Sequence, residues 1–431
     1  MKLTEPPSSR LGWLDALRGI AALSVAIYHL ALPFVWLHAN HEPRYLDPGI
    51  FGVMLFFLVS GYIIPASLER RGDVRSFWVG RAFRIYPVVA VTVLLCLLVL
   101  PRRHQVVQGW VFDHPLLALA GNGLMLQDLS GVTNAIGVMW TLSYEMVFYY
   151  FATALFVTGQ HRRSAPISVG FAAVALLFGS RLPLGALSDG QSATRYLVLG
   201  CLLAVGAAMA AILTGRAALV RAGGVLLGLL GLLLAGVNGR SAAFETMMIF
   251  ATMFAGTVLY RWEHGQIDRL KATLTCAFVI CAGVLSGYLY DHGPALWRTW
   301  SETWRAFSFA YLAAWVVFLA GMALRHRRFP RALTWLGAVS YSVYLLHNPV
   351  IHAMEWLLED TAPFTSWPDR ALQFGGFLAA LLVLSWLSHR WVELPFQRLG
   401  RRVVKRLAAS GGGGDQGAAE AAPERPLAAA R

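Results

Sequence analysis

The sequence predicts an all-α protein, a polytopic bundle of about twelve transmembrane helices. Of its 431 residues, 57% are hydrophobic and only 14% are charged, whereas soluble domains carry about 25% charged residues. Apolar runs of about 20 residues recur along the chain, which is long enough for a helix to cross a hydrocarbon core of about 30 Å. The alternating ten-residue patterns typical of a transmembrane barrel are not found.

The candidate spans number between ten and twelve, both termini being predicted to be cytoplasmic. Basic residues collect in alternate loops and after the last span, as the positive-inside rule requires. The net charge of +13 therefore indicates topology in a plasma (inner) membrane and contact with a lipid bilayer rather than with nucleic acid. The spans are residues 12–36, 49–67, 83–100, 137–158, 166–180, 195–214, 218–237, 242–260, 272–290, 305–324, 335–358 and 371–391.

The chain is predicted to form one transmembrane domain, residues 1–400, followed by a cytoplasmic tail. The tail, residues 401–431, is basic and then rich in Gly and Ala, and we expect it to be disordered. Between the third and fourth spans, the apolar stretch Leu116–Leu126 is too short to cross the membrane, and we expect an interfacial or re-entrant piece on the outer side. The four cysteines lie in apolar spans and show no spacing typical of a disulfide framework or a metal site.

The first span carries ionisable residues that a plain membrane anchor would not need. Arg18 and His29 are eleven positions apart, about three helical turns, and so lie on one face about 16 Å apart along the axis. Asp15 is three residues before Arg18 and can pair with it. Ionisable groups in a membrane span are costly and commonly functional. A structural histidine, hydrogen-bonded between helices, is the alternative for His29.

A carboxylate in the fourth span is predicted to meet the histidine of the first. Counting helical rise from the two surfaces places Glu145 and His29 at similar depths. A histidine with a carboxylate partner can act as a general base, since the carboxylate fixes the tautomer and stabilises the imidazolium. The alternative is an ion pair between Glu145 and another base that holds helices together.

Two arginines precede the third span in the sequence RSFWVGRAFRIYP. Arg81 and Arg84 are three residues apart, so both guanidinium groups can face one way and bind a phosphorylated ligand. The alternative is that they only fix topology. Tyr86 and Pro87 follow and predict an interrupted helix near the interface. In the second span, Ser60-Gly61 predicts close packing of another backbone.

The eleventh span contains a polar stripe. Ser340, Tyr344 and His347 follow i, i+4, i+7 spacing, which places them on one helix face. This stripe either lines a cavity or forms polar contacts between helices. The chain contains no Gly-x-Ser-x-Gly elbow, zinc-binding HExxH or phosphate-binding P-loop, so hydrolase chemistry of those kinds and ATP-driven transport have no support.

The order of these motifs resembles the acyltransferase 3 family of integral membrane O-acyltransferases, over about residues 10–395. The motifs are Asp15…Arg18…His29, FFLVSGY, Arg81-x-x-Arg84-Ile-Tyr-Pro, Trp140-Thr-Leu-Ser-Tyr-Glu145 and SYSVYLLH. Thr141 stands where the family usually has serine, which leaves a hydroxyl in place.

The resemblance implies transfer of an acyl group, most often acetyl, from cytoplasmic acyl-CoA (acetyl-CoA) to a hydroxyl of a cell-surface glycan. Acceptors in some members are macrolides or other secondary metabolites, and a transporter of glycan or lipid-linked precursors is the alternative from a different class. No metal is expected. The candidate catalytic residues are His29, Glu145, Arg18 and Asp15, the candidate donor-binding residues are Arg81, Arg84 and Tyr86, and the candidate acceptor-binding residues are Trp140, Tyr344 and His347.

Overall fold

The computed structural model describes residues 12–31, 45–240, 242–291, 299, 301, 303–359 and 366–411, and these ranges form helices without a strand. Short 3₁₀ turns occur at Arg102–His104 and Gly137–Met139, and a π-helical segment at His389–Glu393. The α-helices are α1 Gly12–Ala31, α2 Pro48–Arg71, α3 Val74–Val99, α4 Gly109–Asp113, α5 Pro115–Gly123, α6 Trp140–Val157, α7 Ser164–Phe178, α8 Gln191–Leu213, α9 Ala217–Val237, α10 Ala243–Glu263, α11 Arg269–Tyr290, α12 Trp304–Ala323, α13 Arg331–Leu357, α14 Trp367–Ser388 and α15 Leu394–Gly411.

Within the described residues, eight helices are long and apolar enough to cross a membrane, which confirms a multi-pass helical membrane protein. They are α2, α3, α8 to α12, and α14 continued into α15. Polar and ionisable residues make α1, α6 and α13 less hydrophobic, and α7 has only 15 residues. The total of about twelve spans and the cytoplasmic location of the termini remain predictions.

Helix α10 lies at the centre of the bundle and packs against α2, α7 and α11. Its apolar stretch is 94% buried. Glycines allow this contact, because a Cβ placed on Gly61 of α2 would lie 1.9 Å from the Met253 carbonyl oxygen of α10. A Cβ placed on Gly256 of α10 would likewise lie 2.4 Å from the Leu58 carbonyl oxygen of α2. The close backbone approach predicted at Ser60-Gly61 is therefore confirmed.

Helices α1 and α13 run parallel and touch through glycines. A Cβ on Gly19 would lie 2.9 Å from the Gly337 nitrogen, and one on Gly337 would lie 1.9 Å from the Asp15 oxygen. Residues at equal heights along the two helices therefore meet. The turn between α2 and α3 is flanked by Arg70 and Arg71 at the end of α2 and by Arg75 at the start of α3, and we call this end of the bundle the basic end.

The segment between α3 and α6 folds back into the protein. Helix α5 has only nine residues, which is too short to cross the membrane and agrees with the sequence prediction. The residues from Met125 to Ser130 that follow it are buried. The segment that leads into α6 is therefore buried inside the bundle and is not an exposed loop.

The C-terminal helix extends into the predicted tail, because residues 401–411 are helical. Helix α15 packs along α3, and Gly400 lies against the Phe83 side chain. Four basic residues lie on the opposite face of α15: Arg398, Arg401, Arg402 and Lys405. Because α15 is amphipathic, one of its faces can pack against α3, a contact that the composition of the segment does not reveal. Residues 412–431 of the predicted tail lie outside the described residues.

Candidate active site

A polar cavity lies inside the bundle between α1, α2, α3, α6 and α13. It measures about 880 Å³, including the part open to solvent. These helices contribute charged and hydroxyl-bearing side chains to the cavity wall, and the rest of the wall is apolar. Its polar lining consists of Arg18, Ser60, Arg81, Arg84, Thr141, Glu145, Tyr149, Tyr341 and Tyr344.

Three arginines make this cavity strongly positive. The guanidinium of Arg81 is buried, 5.2 Å from the Phe77 ring centroid and 5.1 Å from that of Tyr149, which holds it by cation–π contacts. Arg18 lies near Arg84 and pairs with Asp15 at 3.8 Å, as the sequence predicted. Guanidinium groups in this arrangement suit a ligand with several phosphates.

Glu145 is the carboxylate inside the cavity. Its Oε1 accepts a hydrogen bond of 2.5 Å from the hydroxyl of Tyr149, one turn further along α6. Glu145 also lies within electrostatic range of Arg18. It therefore balances part of the arginine charge and holds the tyrosine that stacks on Arg81.

The predicted pair between His29 and Glu145 is wrong: the described residues contain no hydrogen bond or ion pair between the two. The depth estimate assumed that α6 begins at the membrane surface. Because the largely buried segment 125–139 precedes α6, Glu145 lies further along the bundle than the depth estimate placed it, within electrostatic range of Arg18.

His29 instead lies beside His347, with 5.0 Å between the ring centroids. The Nδ1 of His29 is 2.9 Å from the Val25 carbonyl oxygen. A carbonyl can only accept, so Nδ1 carries the proton when the ring is neutral, and Nε2 keeps its lone pair. His347 is fully buried, and neither ring nitrogen has a hydrogen bond of acceptable geometry, although backbone carbonyls of its own helix lie nearby.

Tyr344 connects the two regions. It lines the cavity, and its ring centroid lies 5.8 Å from that of His347. Its hydroxyl donates to the Val138 carbonyl oxygen at 3.0 Å and lies 2.9 Å from Thr141 Oγ1. His29 and His347 are not part of the cavity wall. They lie behind Tyr344, on the side away from the arginines.

Two predicted site residues lie elsewhere. Tyr86 is 38% exposed and faces an apolar groove shared with Tyr150 of α6, on another side of α3 from Arg84. Trp140 begins α6 and packs edge-on against Tyr144 at 5.8 Å, outside the cavity wall. Neither side chain lines the arginine cavity, although Arg81 also borders the groove that Tyr86 lines.

Three cavity residues were not recognised from the sequence. Ser60 was predicted to serve packing, but it lines the cavity beside Gly61, which makes the packing contact. Tyr149 could have been found from its position four residues after Glu145. Tyr341 lies next to the predicted polar stripe, and its hydroxyl donates to the Ile85 carbonyl oxygen at 3.0 Å.

Curated proteins with similar sequences include O-acetyltransferases and a transacylase. A peptidoglycan O-acetyltransferase, OatA, of Listeria monocytogenes is 23% identical over 420 residues, covering 90% of this chain and 56% of that protein. A putative membrane-bound transacylase, BcsY, of Komagataeibacter xylinus is 24% identical over 400 residues, covering 90% and 83%. A putative O-acetyltransferase of Staphylococcus aureus (strain COL) is 28% identical over 160 residues, covering 34% and 24%.

The chain thus spans about a quarter of the staphylococcal relative that it matches and about half of the Listeria protein. No solved structure matches it. The family model described as an acyltransferase domain matches residues 11–390, which include every helix that lines the cavity. The chain belongs to the acyltransferase 3 family.

Proposed function

We propose that the protein is a membrane O-acyltransferase that moves an acyl group, most simply acetyl, from acyl-CoA to a hydroxyl of a cell-surface glycan. The observation that carries this proposal is the arrangement of the site. Three arginines line a cavity near the basic end, and two histidines lie behind its far wall. A donor with a polyanionic head and a narrow thioester arm matches the first part, and proton transfer matches the second.

The donor is a substrate that supplies the activated acyl group. Arg81, Arg84 and Arg18 would bind its phosphates, since guanidinium groups form charge-assisted hydrogen bonds with phosphate oxygens. Phe77 and Tyr149 hold the guanidinium of Arg81 in place before any ligand arrives. The cavity wall beyond Glu145 is mostly apolar, with residues such as Val53 and Phe57, which suits the uncharged arm rather than the phosphates.

His29 would act as the general base. Its free Nε2 would take the proton of the acceptor hydroxyl as that oxygen attacks the thioester carbonyl. The carbon–sulfur bond would then break, and the imidazolium would return the proton to the departing thiolate, which leaves as CoA. General-base assistance of this kind contributes about 10²- to 10⁴-fold.

The name of one relative, a peptidoglycan O-acetyltransferase, supports the proposal of a glycan acceptor. A sugar offers hydroxyls of the kind that a general base can activate. The proposed reaction is therefore O-acetylation of an envelope polysaccharide, with acetyl-CoA as donor.

The experiment uses the full chain in lipid nanodiscs with radiolabelled acetyl-CoA and soluble peptidoglycan fragments. We expect CoA release that depends on the fragments, and fragments that gain the mass of one acetyl group. No imposed ion gradient should be needed, which separates this activity from driven transport. Protein that neither binds acetyl-CoA nor releases CoA with any glycan offered would contradict the proposal.

A further inference from the structure

The cavity ends at two aromatic rings. Phe56 of α2 and Tyr344 of α13 both line it, and their ring centroids lie 5.5 Å apart at an interplanar angle of 79°. Behind them come His347, 5.8 Å from Tyr344, and then His29, 5.0 Å from His347. A route from the arginines to His29 along these helices therefore has to pass the edge-to-face pair.

The two rings are held in different ways. Tyr344 is 6% exposed and is fixed through its hydroxyl to Val138 and Thr141. Phe56 has no polar atom and is only partly buried, so packing contacts alone hold it. Rotamer changes of such side chains are fast compared with enzyme turnover. Phe56 is thus the ring that can move, and Tyr344 is the fixed one.

The far side of the pair offers little room. His347 is fully buried between Tyr344 and His29. The neighbouring residues Leu346 and Val350 of α13 are also buried. A small acyl group can be accommodated here by displacement of one ring, but each added methylene needs further volume in a packed region.

From these contacts we propose that Phe56 and Tyr344 form a gate between the arginine cavity and His29, and that Phe56 sets the length of the acyl chain that can pass. This inference rests on the proposed function and deepens it, since it specifies short-chain acyl donors. The gate separates His29 from the charged cavity until the thioester has displaced the Phe56 ring.

The test compares Phe56→Ala and Phe56→Trp with Phe51→Ala as the matched control. Phe51 lies on the same helix, is also partly buried, and does not line the cavity. For each variant, kcat/KM is measured with acetyl-CoA and butyryl-CoA. We expect Phe56→Ala to raise the butyryl-to-acetyl ratio by at least about 10-fold, because one methylene in an apolar pocket discriminates by about 10- to 200-fold. The ratio of Phe51→Ala should equal that of the wild type.

A second measurement separates gating from donor binding. The affinity for free CoA, which has no acyl group, should change less than about twofold in Phe56→Trp, whereas acetyl transfer should fall by at least about 10-fold. If Phe56→Ala does not fold, Phe56→Leu provides the smaller side chain and the same ratio is measured.

The outcomes distinguish the two proposals. A wild type that transfers acetyl groups, with an unchanged butyryl-to-acetyl ratio in the folded Phe56→Ala and Phe56→Leu variants, overturns the gate and leaves the proposed function intact. A wild type that transfers no acyl group from either donor overturns both. A changed ratio in Phe51→Ala equal to that in Phe56→Ala also overturns the gate.

Discussion

The arginine cavity and the two-histidine region lie in neighbouring parts of one bundle, yet they are built in opposite ways. The cavity gathers charges from three helices, with Arg81 against aromatic rings and Arg18 paired with a carboxylate. The histidine region has no carboxylate partner among the described residues, and its rings touch each other. The first arrangement suits binding of a charged head group, and the second suits transfer of a proton in a dry surrounding. The following substitutions test this division of roles.

The largest effect is expected for His29→Ala. Transfer should fall by at least about 100-fold, because the proposed general base is lost and general-base help is worth about 10²- to 10⁴-fold. Donor affinity should stay the same, since His29 lies outside the cavity wall. The control is His352→Ala, a half-exposed histidine that pairs with Glu355 on α13. Transfer in His29→Ala at a third of the wild-type rate or more would remove His29 from the mechanism.

Arg81→Ala and Arg84→Ala should weaken the binding of CoA by about 10- to 100-fold, since hydrogen bonds between charged partners contribute about 1.5–3 kcal/mol each. Affinity can be measured by titration calorimetry in nanodiscs. Arg327→Ala removes an exposed arginine away from the cavity and serves as the control. Equal CoA affinity in all three variants would leave only a topological role for the pair.

Glu145→Gln tests whether Glu145 acts in the arginine cavity or in the two-histidine region. If it acts in the cavity, the variant should lose about 10-fold in donor affinity, with a smaller change in kcat, since one charge-assisted contact is altered. Tyr149→Phe removes the matching hydroxyl and should give a similar, weaker effect. A loss in kcat as large as that of His29→Ala would instead mean that the carboxylate serves the histidine.

Gly337→Ala tests the close contact that places His347 beside His29. The added methyl would lie 1.9 Å from the Asp15 oxygen, so α1 and α13 must separate, at a cost of about 1–3 kcal/mol in stability. The melting temperature should fall. Gly375→Ala on α14, where nothing lies within 4 Å, should leave it unchanged, and an equal fall in both variants would contradict the close contact.

The smallest effect concerns pH and the carboxylates that cap α2 and α3 at opposite ends of the bundle. Burial raises the pKa of Asp47, the N-cap of α2, to about 6. Burial also acts to raise the pKa of Asp73, the N-cap of α3, but hydrogen bonds from Ser76 and from the Arg75 backbone outweigh it and lower the pKa. The two caps therefore contribute to stability with opposite dependence on pH.

A raised folded-state pKa means that the folded protein binds the Asp47 proton more tightly than the unfolded chain does. The contribution of Asp47 to stability therefore declines as the pH rises from about 4 to about 6. The lowered pKa of Asp73 means that its contribution is present above about pH 4 and is lost as the pH falls below that. Melting temperatures of Asp47→Asn and Asp73→Asn between pH 3 and pH 7 should thus differ from the wild type in opposite directions. Parallel curves would contradict this assignment.

The sequence could predict the functional importance of charged residues, because a charge within a membrane span has a large free-energy cost. Arg18, with its partner Asp15, and the two arginines of α3 were recognised because charges next to apolar runs need a reason, and the cavity contains all three arginines. Tyr86 was misplaced, since α3 is apolar on most of its surface and its periodicity does not indicate which side faces the cavity. The height of Glu145 could not be counted, because composition does not show that the segment before α6 is buried.

The helix from Trp367 to Leu407 is continuous over 41 residues. At 1.5 Å per residue it measures about 60 Å, twice the thickness of the hydrocarbon core. A straight helix of this length is longer than the core is thick, and its C-terminal part, α15, packs along the helix that holds Arg81 and Arg84. A displacement of α15 would therefore reach the cavity arginines through a direct contact between helices, with no intervening loop.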